Sequence, residues 1–165
     1  MDTAYRNIRI FLVPALCITA LYLSACSPPH LRYGSSFYGS EKRRGIVYTA
    51  DRYRGVRYRY GGATPQGFDC SGLVMFVYRE NGIRLPRTAV SQYQHGRQVP
   101  RRGLKPGDLV FFQTSPGNRL SHVGIYAGRN KFIHAPRPGK RVSYASLGNS
   151  YWSRRYQGGV TYLRN

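Results

Sequence analysis

The sequence predicts an α+β domain, with helices gathered in its first half and an antiparallel sheet in its second. Apolar residues recur at helical spacing up to about residue 82, then fall into short strand-length runs after Pro100. The 165 residues are 41% hydrophobic and 14% aromatic, enough to fill one core of ordinary size. There are no internal repeats.

The opening residues read as a targeting segment over 1–25. Arg6 and Arg9 supply a positive start, and Ile10–Leu23 is apolar but short for a membrane span. It ends in Leu23-Ser24-Ala25-Cys26, where small residues before a cysteine fit lipoprotein processing with acylation of Cys26. Ser27 behind that cysteine fits sorting to an outer membrane, with the protein facing the periplasm. Residues 26–40 are rich in Ser, Pro, Gly and Tyr without period, as in a flexible tether. The folded domain is then 41–165.

Ser40 is placed to cap a first helix whose Ile46, Val47, Ala50 and Tyr53 share a face, with Gly55 as the stop. Tyr58–Gly62 looks strand-like and runs into a glycine turn, followed by a loop through Pro65 and Gly67. Asp69 is a good N-cap for a second helix over Cys70–Glu80, closed by Asn81-Gly82. That helix is apolar around most of its circumference and belongs in the centre of the fold. A short helix fits between Arg87 and Gly96.

Pro106-Gly107-Asp108 is a turn before the strand Leu109–Phe112. Ser121–Ala127 and Lys131–Ala135 flank Gly128-Arg129-Asn130 as a hairpin. Arg141–Ala145 and Val160–Leu163 complete the strands, separated by Tyr151-Trp152.

Charge is lopsided: 26 Lys+Arg against 6 Asp+Glu, a formal net charge of +20. Such a chain is suited to anionic surroundings, or simply carries a solvated basic surface. The basic residues are scattered, as in Arg43-Arg44 and Arg101-Arg102, and form no nucleic-acid-binding motif.

Cysteine usage leads to the chemistry. Cys17 lies in the leader and Cys26 is the acylation site, which leaves Cys70 alone in the folded part. A thiol in the first turn of a buried helix faces outward-pointing N–H groups, a setting expected to lower its pKa. Asp69 opposes that effect, so a partnering imidazole is called for. His30 lies in the tether and His95 in a polar loop, whereas His122 and His134 occupy the two arms of the hairpin. With a three-residue loop, His134 sits opposite Gly124 and shares a face with His122; a loop one residue shorter would separate the rings. The pattern fits a relay in which His122 takes the Cys70 proton and His134 fixes the ring of His122. The backbone N–H of Cys70 is a candidate oxyanion donor. A Cys/His₂ metal site and two surface histidines are the competing readings.

Several blocks carry a family resemblance: Tyr58-Arg59-Tyr60-Gly61-Gly62, Gly67-Phe68-Asp69-Cys70-Ser71-Gly72-Leu73-Val74 and Pro106-Gly107-Asp108-Leu109-Val110-Phe111-Phe112. His122-Val123-Gly124-Ile125-Tyr126, Phe132-Ile133-His134-Ala135 and Tyr151–Tyr156 add to them. Together they resemble the NlpC (p-sixty) family of cell-wall cysteine peptidases from about Gly45 to Leu163. The resemblance implies a papain-like fold, its central buried helix packed on an antiparallel sheet, and hydrolysis of peptidoglycan stem peptides. It implies Cys70 as nucleophile, His122 as base and His134 as orienter, with Tyr58, Asp69 and Ser71 contacting substrate. Substrate peptides and a membrane reached through the lipid anchor are the implied partners, with no metal, no cofactor and a monomeric state. The D-glutamyl–diaminopimelate bond and the crosslink between stem peptides both remain open as targets. A non-catalytic wall-binding lipoprotein on the same fold, or an acyltransferase to amines, would also fit these residues.

Overall fold

The computed structural model describes residues 34–117 and 120–164. Four helices and eight strands follow one another as α1 (Gly34–Arg52), β1 (Ala63–Thr64), β2 (Gly67–Phe68), α2 (Cys70–Glu80), α3 (Ala89–His95), β3 (Arg97–Val99), β4 (Leu109–Phe112), β5 (His122–Gly128), β6 (Lys131–His134), β7 (Ser143–Ser146), α4 (Ser150–Ser153) and β8 (Tyr156–Thr161). The expected leader and acylated Cys26 lie outside the described residues.

The first helix starts earlier than expected: α1 begins at Gly34, so Ser40 lies inside it and does not cap it. Its inward face is as read, with Ile46 and Ala50 fully buried and Gly55 ending the segment at φ 85°. Arg43 also points inward, where it meets Asp108 at 2.8 Å and donates to the Pro106 carbonyl at 3.1 Å. This buried pair ties α1 to the turn before β4. A charge there is tolerable only because it is paired and hydrogen-bonded.

Six antiparallel strands form the main sheet in the order β3-β8-β4-β5-β6-β7. Alternate side chains go to opposite faces, as the period of two requires. Leu109, Phe111, Val123, Ile125 and Ile133 join α1 and α2 in the larger core. Val110, Phe112, Tyr126 and Phe132 build a second cluster with Leu147, against which Trp152 and Tyr156 pack. Both sides of β4 are therefore covered, which explains its unbroken apolar run. Helix α2 has seven buried residues in its eleven and is central, as its sequence indicates.

Three local readings need correction. Tyr58–Gly62 is no strand; Arg57 and Tyr58 make isolated bridges to Arg141 and Phe68, and the paired residues are those of the β1–β2 hairpin in the expected loop. Strand β3 went unread, and β8 begins at Tyr156. Among the described residues strand β3 pairs only with β8, about sixty residues on, and β8 is held between β3 and β4; such distant pairing leaves no local mark. The β5–β6 loop is also one residue shorter than expected. Arg129 and Asn130 both take positive φ (50° and 57°), as a two-residue primed turn demands, and Gly128 pairs with Lys131. The register then shifts between Tyr126 and Gly128, so Ile125 meets Ile133. That bulge at Ala127 restores the face that the shorter loop would have lost.

Candidate active site

Helix α2 starts at Cys70 because Asp69 caps it: the Asp69 carboxylate accepts from the Gly72 N–H at 2.6 Å. The first turn lies directly on the Gly61-Gly62 turn, with the Asp69 N–H donating to the Gly62 carbonyl at 2.9 Å. Only glycine fits at position 72, where a Cβ would come within 2.0 Å of the Gly62 oxygen. This close approach carries Tyr58 to the helix start, where it lines the same cleft as Cys70.

A polar cluster surrounds the cap. Arg87 donates to both oxygens of Asp69, one at 3.0 Å, and to the Ser71 hydroxyl at 3.0 Å. Gln92, fully buried on α3, donates to the Ser71 carbonyl at 3.0 Å and to that of Pro86 at 2.8 Å. The loop before α3 is thus pinned to the start of α2. Asp69, which sequence reasoning assigned to capping and substrate contact, is also half of an ion pair.

The two histidines stand on one side of the sheet. His122 opens β5 and His134 closes β6, and His122 Nε2 meets His134 Nδ1 at 2.8 Å. Their rings are edge-on, 5.0 Å apart at 88°. The space beside Gly124 is taken by the Phe132 ring, 2.5 Å from where a Cβ would stand. Trp152 on α4 lies against both imidazoles, with centroid separations of 5.4 and 4.9 Å. Both histidines are 3% exposed. With Nε2 of His122 committed to its partner, Nδ1 is the nitrogen left to exchange a proton in the cleft.

Electrostatics overturn one expectation. The Cys70 thiol is raised rather than lowered: burial dominates and Asp69 adds to it, outweighing the N–H groups of Val123, Ser71 and Cys70 that face the sulfur. Burial lowers His122 to about 4, and burial together with the His122 charge lowers His134 to about 3. Burial, followed by the charges of Cys70 and Asp69, raises Tyr58, so its hydroxyl keeps its proton. The resting site therefore holds a thiol, two neutral imidazoles and a phenol at neutral pH. The Val123 N–H, next along the chain from His122, points at the sulfur and places it beside the start of β5.

Two adjoining cavities of about 510 and 640 Å³ share Tyr58, Cys70, Ser115 and Ser121. The first is walled by His122, Pro136, Arg137, Tyr151 and Trp152, the second by Asp69, Ser71, Arg87 and Thr88. The expected catalytic and substrate-contacting residues (Tyr58, Asp69, Cys70, Ser71, His122 and His134) therefore meet at one cleft, His134 from behind His122. His95 is away from it, bonded to the Ser91 carbonyl at 2.8 Å. Arg87, Gln92, Arg137 and the imidazole-packing role of Trp152 were not foreseen, since each acts through residues distant in sequence. Among the described residues no group of three His, Cys, Asp or Glu side chains is placed to hold a metal ion.

The chain resembles known proteins in both sequence and fold. The chain is 40% identical over 147 residues to the probable endopeptidase NlpC of Escherichia coli K12, a match covering 86% of this chain and 93% of that one. It is 46% identical over 108 residues to murein DD-endopeptidase MepH of the same organism, covering 63% of this chain but only 40% of the relative. A solved NLP/P60-family structure from Staphylococcus aureus, similar to a lipoprotein, superposes with a TM-score of 0.69 at 38% identity, covering 76% of this chain and 42% of that one. The α+β architecture is thus that of the papain-like fold read from the sequence. Residues 55–161 match the profile of the NlpC/P60 family, and the chain belongs to that family.

Proposed function

We propose that the protein is a cysteine peptidase that hydrolyses stem-peptide bonds of peptidoglycan through a Cys70 thioester. The single observation that carries this reading is the shared cleft: Cys70 at the first turn of α2 and His122 line one cavity, and His134 holds the Nε2 edge of the imidazole at 2.8 Å, leaving Nδ1 for the thiol.

In the first step the Cys70 sulfur attacks the scissile carbonyl carbon as its proton passes to His122 Nδ1. His122 is free to accept it because burial keeps the ring neutral above about pH 4. The imidazolium so formed donates a hydrogen bond from Nε2–H to His134 Nδ1, which fixes the ring plane and stabilises the charge while the proton stays on His122. Oxyanion charge falls near the Cys70 N–H and the Tyr58 hydroxyl. Collapse of the tetrahedral adduct breaks the C–N bond, and the departing amine takes the proton from His122. Water then attacks the thioester, giving its proton to His122, and the thiol is re-formed with release of the carboxylate product. Asp69 and Ser71, which line the second cavity, receive the amine-bearing part of the acyl half in this reading.

The starting thiol explains why the imidazole is indispensable here. Helix dipole and N–H groups do not ionise Cys70 unaided, so thiolate formation is coupled to proton transfer to His122. The leader-like segment before Cys26 supports a lipoprotein held at the envelope by its acyl chains and facing the periplasm; the monomeric state belongs to the same reading. Among the described residues no helix is long and apolar enough to cross a membrane.

The test is digestion of purified cell-wall sacculi followed by mass spectrometry of the soluble muropeptides. The native chain is expected to release new stem-peptide fragments. Cys70→Ala and His122→Ala should release none while retaining native circular dichroism. Fragments of equal yield from Cys70→Ala would overturn the mechanism.

A further inference from the structure

The two halves of the cleft differ in charge, and that difference bears on which leaving group the site accepts. General-acid chemistry assigns the halves: the proton of the departing amine comes from His122, so the leaving group lies in the cavity that His122 lines. That cavity contains Arg137 and no carboxylate, whereas the half without His122 contains the Asp69–Arg87 pair.

Arg137 is held where it is by local backbone chemistry. It follows His134-Ala135-Pro136 and precedes Pro138-Gly139, with Gly139 at φ 78° and the Lys140 N–H donating to the Arg137 carbonyl at 3.1 Å. Proline followed by a positive-φ glycine is the arrangement of a type II turn, and prolines on both sides stiffen the approach. Arg137 is the basic residue that lines this cavity, and two neighbouring arginines are engaged elsewhere. Arg155 stacks on Tyr151 at 3.9 Å and donates to its carbonyl at 3.1 Å, and Arg141 donates to the Gly55 carbonyl at 2.8 Å. Among the described residues no acidic side chain pairs with Arg137. An exposed guanidinium on a stiffened turn, unpaired with any acid among the described residues, has the shape and charge to take a carboxylate in the leaving-group half through paired N–H donors.

We propose that Arg137 is a specificity-determining residue that selects leaving amines whose own residue carries a free carboxylate. This rests on the peptidase reading above and adds a requirement to it: the bond cut is one whose amine belongs to an amino acid with an ionised carboxylate left free, as on diaminopimelate in either of the two candidate bonds. Blocking that carboxylate as a carboxamide removes the charge and half of the acceptor capacity, leaving the scissile bond unaltered.

The experiment compares kcat/KM on two muropeptide preparations identical except that the diaminopimelate carboxylate is free in one and amidated in the other. The native chain should favour the free acid by about five- to tenfold at low salt, and the ratio should shrink as ionic strength rises. Arg137→Gln should bring the ratio to about one. Arg129→Gln removes the same charge from the hairpin tip at the opposite end of β5 and should keep the native ratio. An unchanged ratio in Arg137→Gln, or an equal fall in both variants, overturns the proposal and leaves the peptidase reading standing. Cleavage of neither preparation by the native chain would overturn the peptidase reading itself, and this inference with it.

Discussion

Acidification tests the buried histidine pair most sharply. In an unfolded chain each imidazole has an ordinary pKa of about 6.5. In the folded protein His122 falls to about 4 and His134 to about 3, both through burial first. Folded-state values below the unfolded ones mean that the unfolded chain binds more protons as pH drops. The stability the pair contributes is therefore complete above about pH 6.5 and is lost progressively below it, down to the folded values. Between pH 7 and pH 5 each histidine gives up roughly 2 kcal/mol, so the pair costs roughly 3 to 4 kcal/mol. That is a large part of the 5 to 15 kcal/mol typical of a domain. Urea unfolding of the Cys70→Ala protein at pH 7, 6 and 5 measures it through the midpoint and slope. A double variant, His122→Gln with His134→Gln, should be less stable at pH 7 but lose much less over the same interval. A native loss below about 1 kcal/mol, or an equal loss in the double variant, would refute the reasoning.

Three further outcomes follow from other parts of the molecule. Iodoacetamide should alkylate Cys70 ever faster as pH climbs through the alkaline range, because burial holds the thiol above its usual value; a rate plateau reached near pH 7 would contradict this. Replacing Arg87 by Met strips Asp69 of its ion-pair partner beside the sulfur, so kcat/KM should fall by about tenfold or more and the alkylation profile should move to still higher pH. Asp108→Ala leaves Arg43 buried without its carboxylate and should cost about 3 to 5 kcal/mol in urea unfolding, while the remaining folded protein keeps native kcat.

Much of the site was legible because its parts are local. An Asp before an apolar helical run is a cap, and a cysteine one residue later must lie in the first turn; both follow from neighbouring residues alone. The hairpin was legible too, but for an incomplete reason. A shorter turn at Arg129-Asn130 should have put the imidazoles on opposite faces, and the bulge at Ala127 brought them back. A single sequence does not distinguish one longer loop from a tight turn plus an extra residue in the strand.

The ion pair between Asp69 and Arg87 was invisible because nothing near Arg87 marks it; the partner is supplied by the fold. The thiol was misjudged for a related reason. Helix position is a sequence property, whereas desolvation depends on what packs around the sulfur, and here packing is the larger effect. Strand β3 and the start of β8 were obscured likewise, since Arg97–Val99 has no strand pattern until β8 is beside it; the strand read at Val160–Leu163 overlaps only the end of β8.

The most direct measurement of the central claim is to catch the covalent intermediate. Mixing the protein with stem-peptide substrate, quenching in acid within milliseconds and weighing the intact chain should show an added mass equal to the acyl half of the substrate. After protease digestion that mass should lie on the peptide containing Cys70, and it should accumulate when an amine-free ester of the same acyl half is supplied. Product formation with no adduct on Cys70 under any quench time, or the same adduct in Cys70→Ala, would contradict thioester catalysis by this cleft.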